Sequence, residues 1–142
     1  MFDCQRLPLE NMLGIPPGNK MNDSTTVLVV DDSRVSRLMA RQFILSKNAG
    51  VLIEEAANGE EALEKARSVT PALILMDVNM PGMGGLAAAE LLRKQFPHAH
   101  ISLLTANVQD ATRKRAQDMG VAFMEKPITE ARIHQLMSVL DL

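Results

Sequence analysis

The sequence predicts an α/β domain of the (βα)5 kind, a doubly wound, five-stranded parallel sheet with helices on both faces in three layers. Three observations carry this. From residue 25 onward five short apolar runs recur, each too short for a buried helix; none alternates apolar with polar; and the stretches between and after them place apolar residues at helical spacing.

The runs are Val27 to Val30, Val51 to Ile53, Leu73 to Met76, Ile101 to Leu104 and Val121 to Met124. Their unbroken apolarity suits strands covered on both faces. In the first helix Val35, Leu38, Met39 and Phe43 share a face, and in the second Ala62, Leu63, Ala66 and Val69 do so. Ala88, Ala89, Leu92 and Phe96 mark the third, and Ile133, Leu136, Met137 and Leu140 the last. The fourth, near 108 to 118, is rich in Asp, Arg, Lys and Gln, which predicts the most solvated and least firmly held helix. Punctuation agrees: Gly50 follows the first helix, Asn58-Gly59 opens the second, and Pro71, Pro97 and Gly120 follow the second, third and fourth.

The chain has 142 residues, 46% apolar and 23% charged, with a net charge of -2, which fits one ordinary soluble domain and supplies no general cationic field for nucleic acid. No apolar stretch approaches the roughly 20 residues that span a bilayer, so a cytoplasmic location without membrane insertion is expected. A lone cysteine, Cys4, excludes an intrachain disulfide, and Cys4, His98, His100 and His134 lack zinc-site spacing. With four Phe and no Tyr or Trp, base stacking is poorly supplied, and the ten Met read as core filler. Residues 1–24 carry no regular period and read as a flexible tail, with docking of their scattered apolar residues on a partner as the alternative; residues 25–142 form the domain.

In a doubly wound sheet, ligands bind at the carboxyl ends of the strands. Following the strands to that edge gives Asp31 and Asp32 after the first, Asp77 after the third, Thr105 after the fourth and Lys126 with Pro127 after the fifth. Singly, each has an ordinary explanation as a helix cap, a strand end or a surface lysine. Together, three close carboxylates raise one another's pKa unless a cation sits among them, and a hard divalent ion such as Mg²⁺ or Mn²⁺ is the simplest remedy. Three carboxylates, one ammonium and a divalent ion sum to zero, so a phosphoryl group added to one carboxylate becomes tolerable.

The segments Val27 to Arg34 (VLVVDDSR), Leu75 to Gly85 (LMDVNMPGMGG), Leu104-Thr105-Ala106 and Lys126-Pro127, in this order and spacing, closely resemble the receiver domain of two-component response regulators over about residues 25 to 142. The resemblance implies a flavodoxin-like strand order of 2-1-3-4-5. It makes Asp77 the phosphoacceptor and Asp31, Asp32 and Asp77, with the Asn79 backbone carbonyl, the metal ligands. Thr105 and Lys126 would meet the phosphoryl oxygens, Thr105 and Phe123 would act in switching, and a cis bond before Pro127 would aim Lys126 inward. The donor would be a phosphohistidine on a sensor kinase or a phosphotransfer protein. The output surface would be helix four, strand five and helix five, presented to a downstream protein, to a phosphorylation-linked dimer partner, or used while phosphate is relayed onward.

Some positions depart from the family pattern. Phe123 replaces the frequent tyrosine and offers no hydroxyl, and a fixed core ring is the competing reading. Gly84 stands where many relatives have Asp, so Gly82, Gly84 and Gly85 make a permissive loop. Asn79 and Asn107 occupy positions that tune acyl-phosphate hydrolysis, and two amides, lacking a general base, point to slow self-dephosphorylation. Gly82 to Ala87 fits GxGxxA formally but follows the third strand and lacks the first βαβ context that a dinucleotide site needs. Arg113-Lys114-Arg115 reads as a solvated face, and His98 and His100 as surface or loop residues.

The favoured function is a phosphorylation-controlled binding module, not an enzyme beyond its own phosphoryl acceptance and loss. An aspartyl-phosphate hydrolase of the haloacid dehalogenase type would want a DxD pair and a cap, where this chain has adjacent Asp31-Asp32 and short connections. A phosphorylation-independent scaffold is disfavoured because every expected site residue is present. The last helix runs to residues 140–142, so the expected output is a partner protein or onward transfer of the phosphate.

Overall fold

The computed structural model describes residues 25–106 and 110–142. In chain order the elements are β1 (Thr26–Val30), α1 (Arg34–Lys47), β2 (Leu52–Ala56), α2 (Gly59–Val69), β3 (Leu73–Asp77), α3 (Gly85–Gln95), β4 (His100–Thr105), α4 (Asp110–Met119), β5 (Ala122–Glu125) and α5 (Glu130–Val139). All strand pairs are parallel, in the order β2-β1-β3-β4-β5. The expected tail, residues 1–24, and Asn107 lie outside the described residues.

Alternation along each strand divides the core in two. Leu28, Val30, Ile74, Met76, Ile101 and Leu103 face α2, α3 and α4. Val27, Val29, Leu73, Leu75 and Leu104 face α1 and α5. The central strands β1, β3 and β4 are buried almost throughout, as continuous apolar runs require.

The outer strands differ from expectation. β2 runs later than the apolar triplet suggests and carries Glu54 and Glu55; Leu52 is 54% exposed, while Val51, just before the strand, is buried. β5 is only partly covered as well. Each has one neighbouring strand, and its other flank tolerates charge.

The face of α1 also needs correction. Ala40 and Ile44 are its buried residues and Phe43 is partly buried, whereas Val35, Leu38 and Met39 are 66%, 51% and 42% exposed. The cap and one arginine set the rotation. Ser33 Oγ accepts the Ser36 N–H, and Arg37 reaches the Asp31 carbonyl and Glu55, which turns the 37/40/44 stripe towards the sheet. The remaining helices present the expected residues: Ala62, Leu63 and Ala66 in α2, Ala88, Ala89 and Leu92 in α3, Ile133 and Met137 in α5. In α4 only Ala116 is fully buried among the described residues. His100 is the first residue of β4 and half-buried, with its Nε2 lacking a hydrogen-bond partner, so it is no surface histidine; His98 is exposed.

Candidate functional site

The carboxyl ends of β1, β3 and β4 bring Asp31, Asp77 and Thr105 to one rim, and the turn after β5 adds Lys126. Asp31 is held at every polar atom that strand geometry leaves over. Its N–H donates to the Ala56 carbonyl (3.1 Å), and its carbonyl accepts from Arg37 Nη1 (2.6 Å). Its Oδ1 accepts the Ser33 N–H (2.8 Å) and its Oδ2 accepts from Lys126 Nζ (2.9 Å). The residue is 3% exposed, whereas its neighbour Asp32 is exposed.

Asp77, 6% exposed, closes β3. Its Oδ1 accepts the Asn79 N–H (3.2 Å), and its Oδ2 lies 3.5 Å from Lys126 Nζ. Asn79 sits in the loop that follows, with its side chain exposed. Ligand oxygens of Asp31, Asp32 and Asp77 all lie within 4.8 Å of one another.

Lys126 is fastened from behind, since its N–H donates to the Thr105 carbonyl (2.7 Å) and its peptide bond to Pro127 is cis. Thr105 is buried at 1% exposure. Phe123 is half-buried against the cluster beneath α3 and α4, with the Arg113 guanidinium 6.0 Å from its ring centre.

Burial pushes the Asp77 carboxyl above its usual pKa, against the opposing pull of the Lys126 charge and the Asn79 N–H. Burial pulls Lys126 down, but the hydrogen bond and charge of Asp31, joined by Asp77, outweigh it and lift the ammonium above its ordinary pKa. Three carboxylates against one ammonium leave an excess of negative charge in a partly desolvated rim. Its all-oxygen donor set fits a hard divalent cation with water and phosphate oxygens completing the shell.

Two contributors were not singled out by the sequence, and a third was read only as part of a permissive loop. Arg37 and Glu55 join α1 to β2 behind Asp31, with Arg37 Nε to Glu55 Oε1 at 2.9 Å and Arg41 Nε to Oε2 at 3.1 Å. Nothing in an exposed-looking helix signals such a reach across 18 residues. Gly85 is the third: a Cβ there would lie 2.1 Å from the Asp77 carbonyl oxygen. Gly82, Gly84 and Gly85 read as a permissive loop, with no sign of which glycine the strand end needs.

Beside Lys126 lies a cavity of ≈ 330 Å³, mostly apolar, lined by Met39, Ala40, Leu104, Pro127 and Ile128. Of the exposed apolar residues of α1, Met39 lines it. Among the described residues no helix is long and apolar enough to cross a membrane.

A doubly wound sheet with an acidic rim and a lysine opposite is shared by a family of signalling domains, and comparison with known proteins places the chain within that family. Residues 27–138 match the family model for the response regulator receiver domain, and the chain belongs to that family, the receivers of two-component signalling. It is similar to a protein-glutamate methylesterase/protein-glutamine glutaminase of Maricaulis maris, 39% identical over 116 residues, covering 79% of this chain and 29% of that protein. It is also similar to the response regulator protein VraR of Staphylococcus saprophyticus, 35% identical over 95 residues, covering 67% of this chain and 46% of VraR. The chain thus spans less than half the length of these curated relatives. Among solved structures, the chemotaxis response regulator CheY4 of Vibrio cholerae superposes with a TM-score of 0.75 at 29% identity, covering 83% of this chain and 99% of that one.

Proposed function

We propose that the domain is a phosphoacceptor switch, in which Asp77 takes a phosphoryl group from a phosphohistidine of a sensor kinase or phosphotransfer protein. The observation that carries this reading is Lys126 Nζ bonded to Asp31 at 2.9 Å while standing 3.5 Å from Asp77 Oδ2. One cation is thereby poised between a carboxylate that keeps it in place and a carboxylate free to change its chemistry. Mg²⁺ or Mn²⁺, held by Asp31, Asp32 and Asp77 with the Asn79 carbonyl, would supply neutralising charge for phosphoryl oxygens.

A carboxylate oxygen of Asp77 attacks phosphorus, a P–O bond forms as the P–N bond to imidazole breaks, and the departing imidazole nitrogen keeps the electron pair and takes a proton. Such transfer depends mainly on positioning and charge neutralisation. Lys126 meets the new phosphoryl charge, and Thr105, on the neighbouring strand end, donates its hydroxyl. Movement of Thr105 then reaches Phe123 and α4, the helix with the smallest buried face. The reshaped α4–β5–α5 surface is offered to a downstream protein, to a second copy of the domain, or serves while phosphate is relayed.

The exposed Val35, Leu38 and Met39 of α1, and the mostly apolar cavity that Met39 lines together with Asp31 and Lys126, support docking of the phosphodonor on this side of the domain. Neither a phosphorylation-independent scaffold nor a hydrolase of external phosphate esters is favoured by the family match. Reduction of the phosphorylated protein with borodeuteride, followed by peptide mapping, tests the assignment. Deuterium at residue 77 is expected, and label at another carboxylate would overturn it.

A further inference from the structure

The side of the acidic rim formed by α1 and β2 is crowded with positive charge. Arg37, Arg41 and Lys65 all reach one residue, Glu55: the two guanidiniums bind its two carboxylate oxygens, and the Lys65 ammonium contacts its carbonyl. Arg37 is the nearest to the site, because its Nη1 also donates to the Asp31 carbonyl at 2.6 Å. Its side chain is only 16% exposed, so it is packed in this place and not waving in water. The two arginines' hydrogen bonds overcome the effect of burial and hold the Glu55 carboxyl below its usual pKa.

A guanidinium bonded to the backbone of Asp31, one of three clustered carboxylate residues, is a competing counter-ion. Freed from Glu55, it could pivot from the Asp31 carbonyl to the Asp31 or Asp32 carboxylate, where bidentate pairing is strong and the charge would sit where a divalent ion must bind. We propose that Glu55 is a positioning residue for the acidic site: it anchors and neutralises Arg37, so that Arg37 braces the Asp31 turn without entering the cation-binding space. This rests on the cation-site reading above, and it assigns Glu55 a role in metal affinity although Glu55 touches neither metal nor phosphate.

The test is metal affinity, with Mn²⁺ as the probe and free ion counted by electron paramagnetic resonance, which suits a chain without Trp or Tyr. Native protein should bind one Mn²⁺. Glu55→Gln should bind it about tenfold more weakly, as expected for one uncompensated nearby charge at a partly solvated site. The double variant Arg37→Gln/Glu55→Gln, which lacks the one guanidinium that reaches Asp31, should recover to within about threefold of native, the released Arg41 having no contact with the Asp31 turn. Melting temperatures recorded alongside separate folding from affinity, since simple structural damage predicts that the double variant is the worse of the two. Native-like affinity in Glu55→Gln, or a double variant as weak as the single, overturns the role of Glu55 alone. Failure of the native chain to bind Mn²⁺ overturns the cation site and this inference with it.

Discussion

Replacing Gly85 by alanine should be far more damaging than its position in a glycine-rich loop suggests. The added Cβ would lie 2.1 Å from the Asp77 carbonyl oxygen and 2.8 Å from Val78 Cα, against an ordinary carbon–oxygen contact of about 3.3 Å. The start of α3 must therefore retreat by about 1 Å from the end of β3. Overpacking of this kind costs about 1–3 kcal/mol, and the Gly85 N–H to Val78 carbonyl bond, 3.1 Å long, adds about 1 kcal/mol if it breaks. A loss of about 3 kcal/mol lowers the melting temperature of a domain this size by about 10 °C. The displaced atoms belong to Asp77, the proposed acceptor, so on that proposal phosphorylation should slow as well. Gly84→Ala is the comparison without a clash: the nearest atom to its Cβ is 4.0 Å away, so it carries only the backbone strain of φ +82°, ψ 162°, a region kept for glycine and worth about 1–3 kcal/mol. Circular dichroism melts of the two variants decide the matter. A Gly85→Ala melt within about 3 °C of native would refute the steric argument.

Other perturbations test the charge balance. Lys126→Ala strips a donor from the buried Asp31 carboxylate and should cost about 1–3 kcal/mol in chelator, with part of the loss restored by millimolar Mg²⁺, as urea titrations with and without metal would reveal. Asp77 is lifted above its unfolded pKa by burial, so its ionisation disfavours the native state: stability linked to it is full below the unfolded pKa and declines as pH rises through the folded one. Asp77→Asn should accordingly melt higher than native in metal-free buffer at pH 7, with the difference shrinking towards pH 3.5; a pH-independent difference would contradict the burial argument. Lys126, lifted by its aspartates, contributes stability that persists below its unfolded pKa and is lost only as pH rises through the still higher folded value. Thr105→Ala should still accept phosphate but fail to transmit it, so phosphorylation-dependent changes in amide exchange across α4 and β5 should disappear.

Sequence alone made the centre of this fold legible, because strands with two neighbours must be apolar on both faces and the turns after them carry the chemistry. The rim residues Asp31, Asp77, Thr105 and Lys126 meet for the same reason, the parallel sheet delivering every strand end to one edge. What escaped depends on rotation and on distant partners. The apolar stripe Val35, Leu38 and Met39 looked inward because an amphipathic count cannot tell a core face from an exposed one nearby, and the Arg37 bond to Asp31 that sets the helix rotation has no local signature. β2 was misjudged because an edge strand needs cover on fewer sides, so the apolar run Val51 to Ile53 did not mark its centre and Glu54 and Glu55 lie inside it. Gly85 was hidden among its neighbours, since only the approach of α3 to Asp77 distinguishes it from Gly82 and Gly84.

The central claim is that Asp77 accepts a phosphoryl group with the help of a divalent ion, and intact mass after incubation with acetyl phosphate tests it most directly. Native protein with Mg²⁺ should gain the mass of one phosphoryl group, while native protein in chelator and Asp77→Asn with Mg²⁺ should gain none. An equal gain in Asp77→Asn, or one indifferent to metal, would contradict the account.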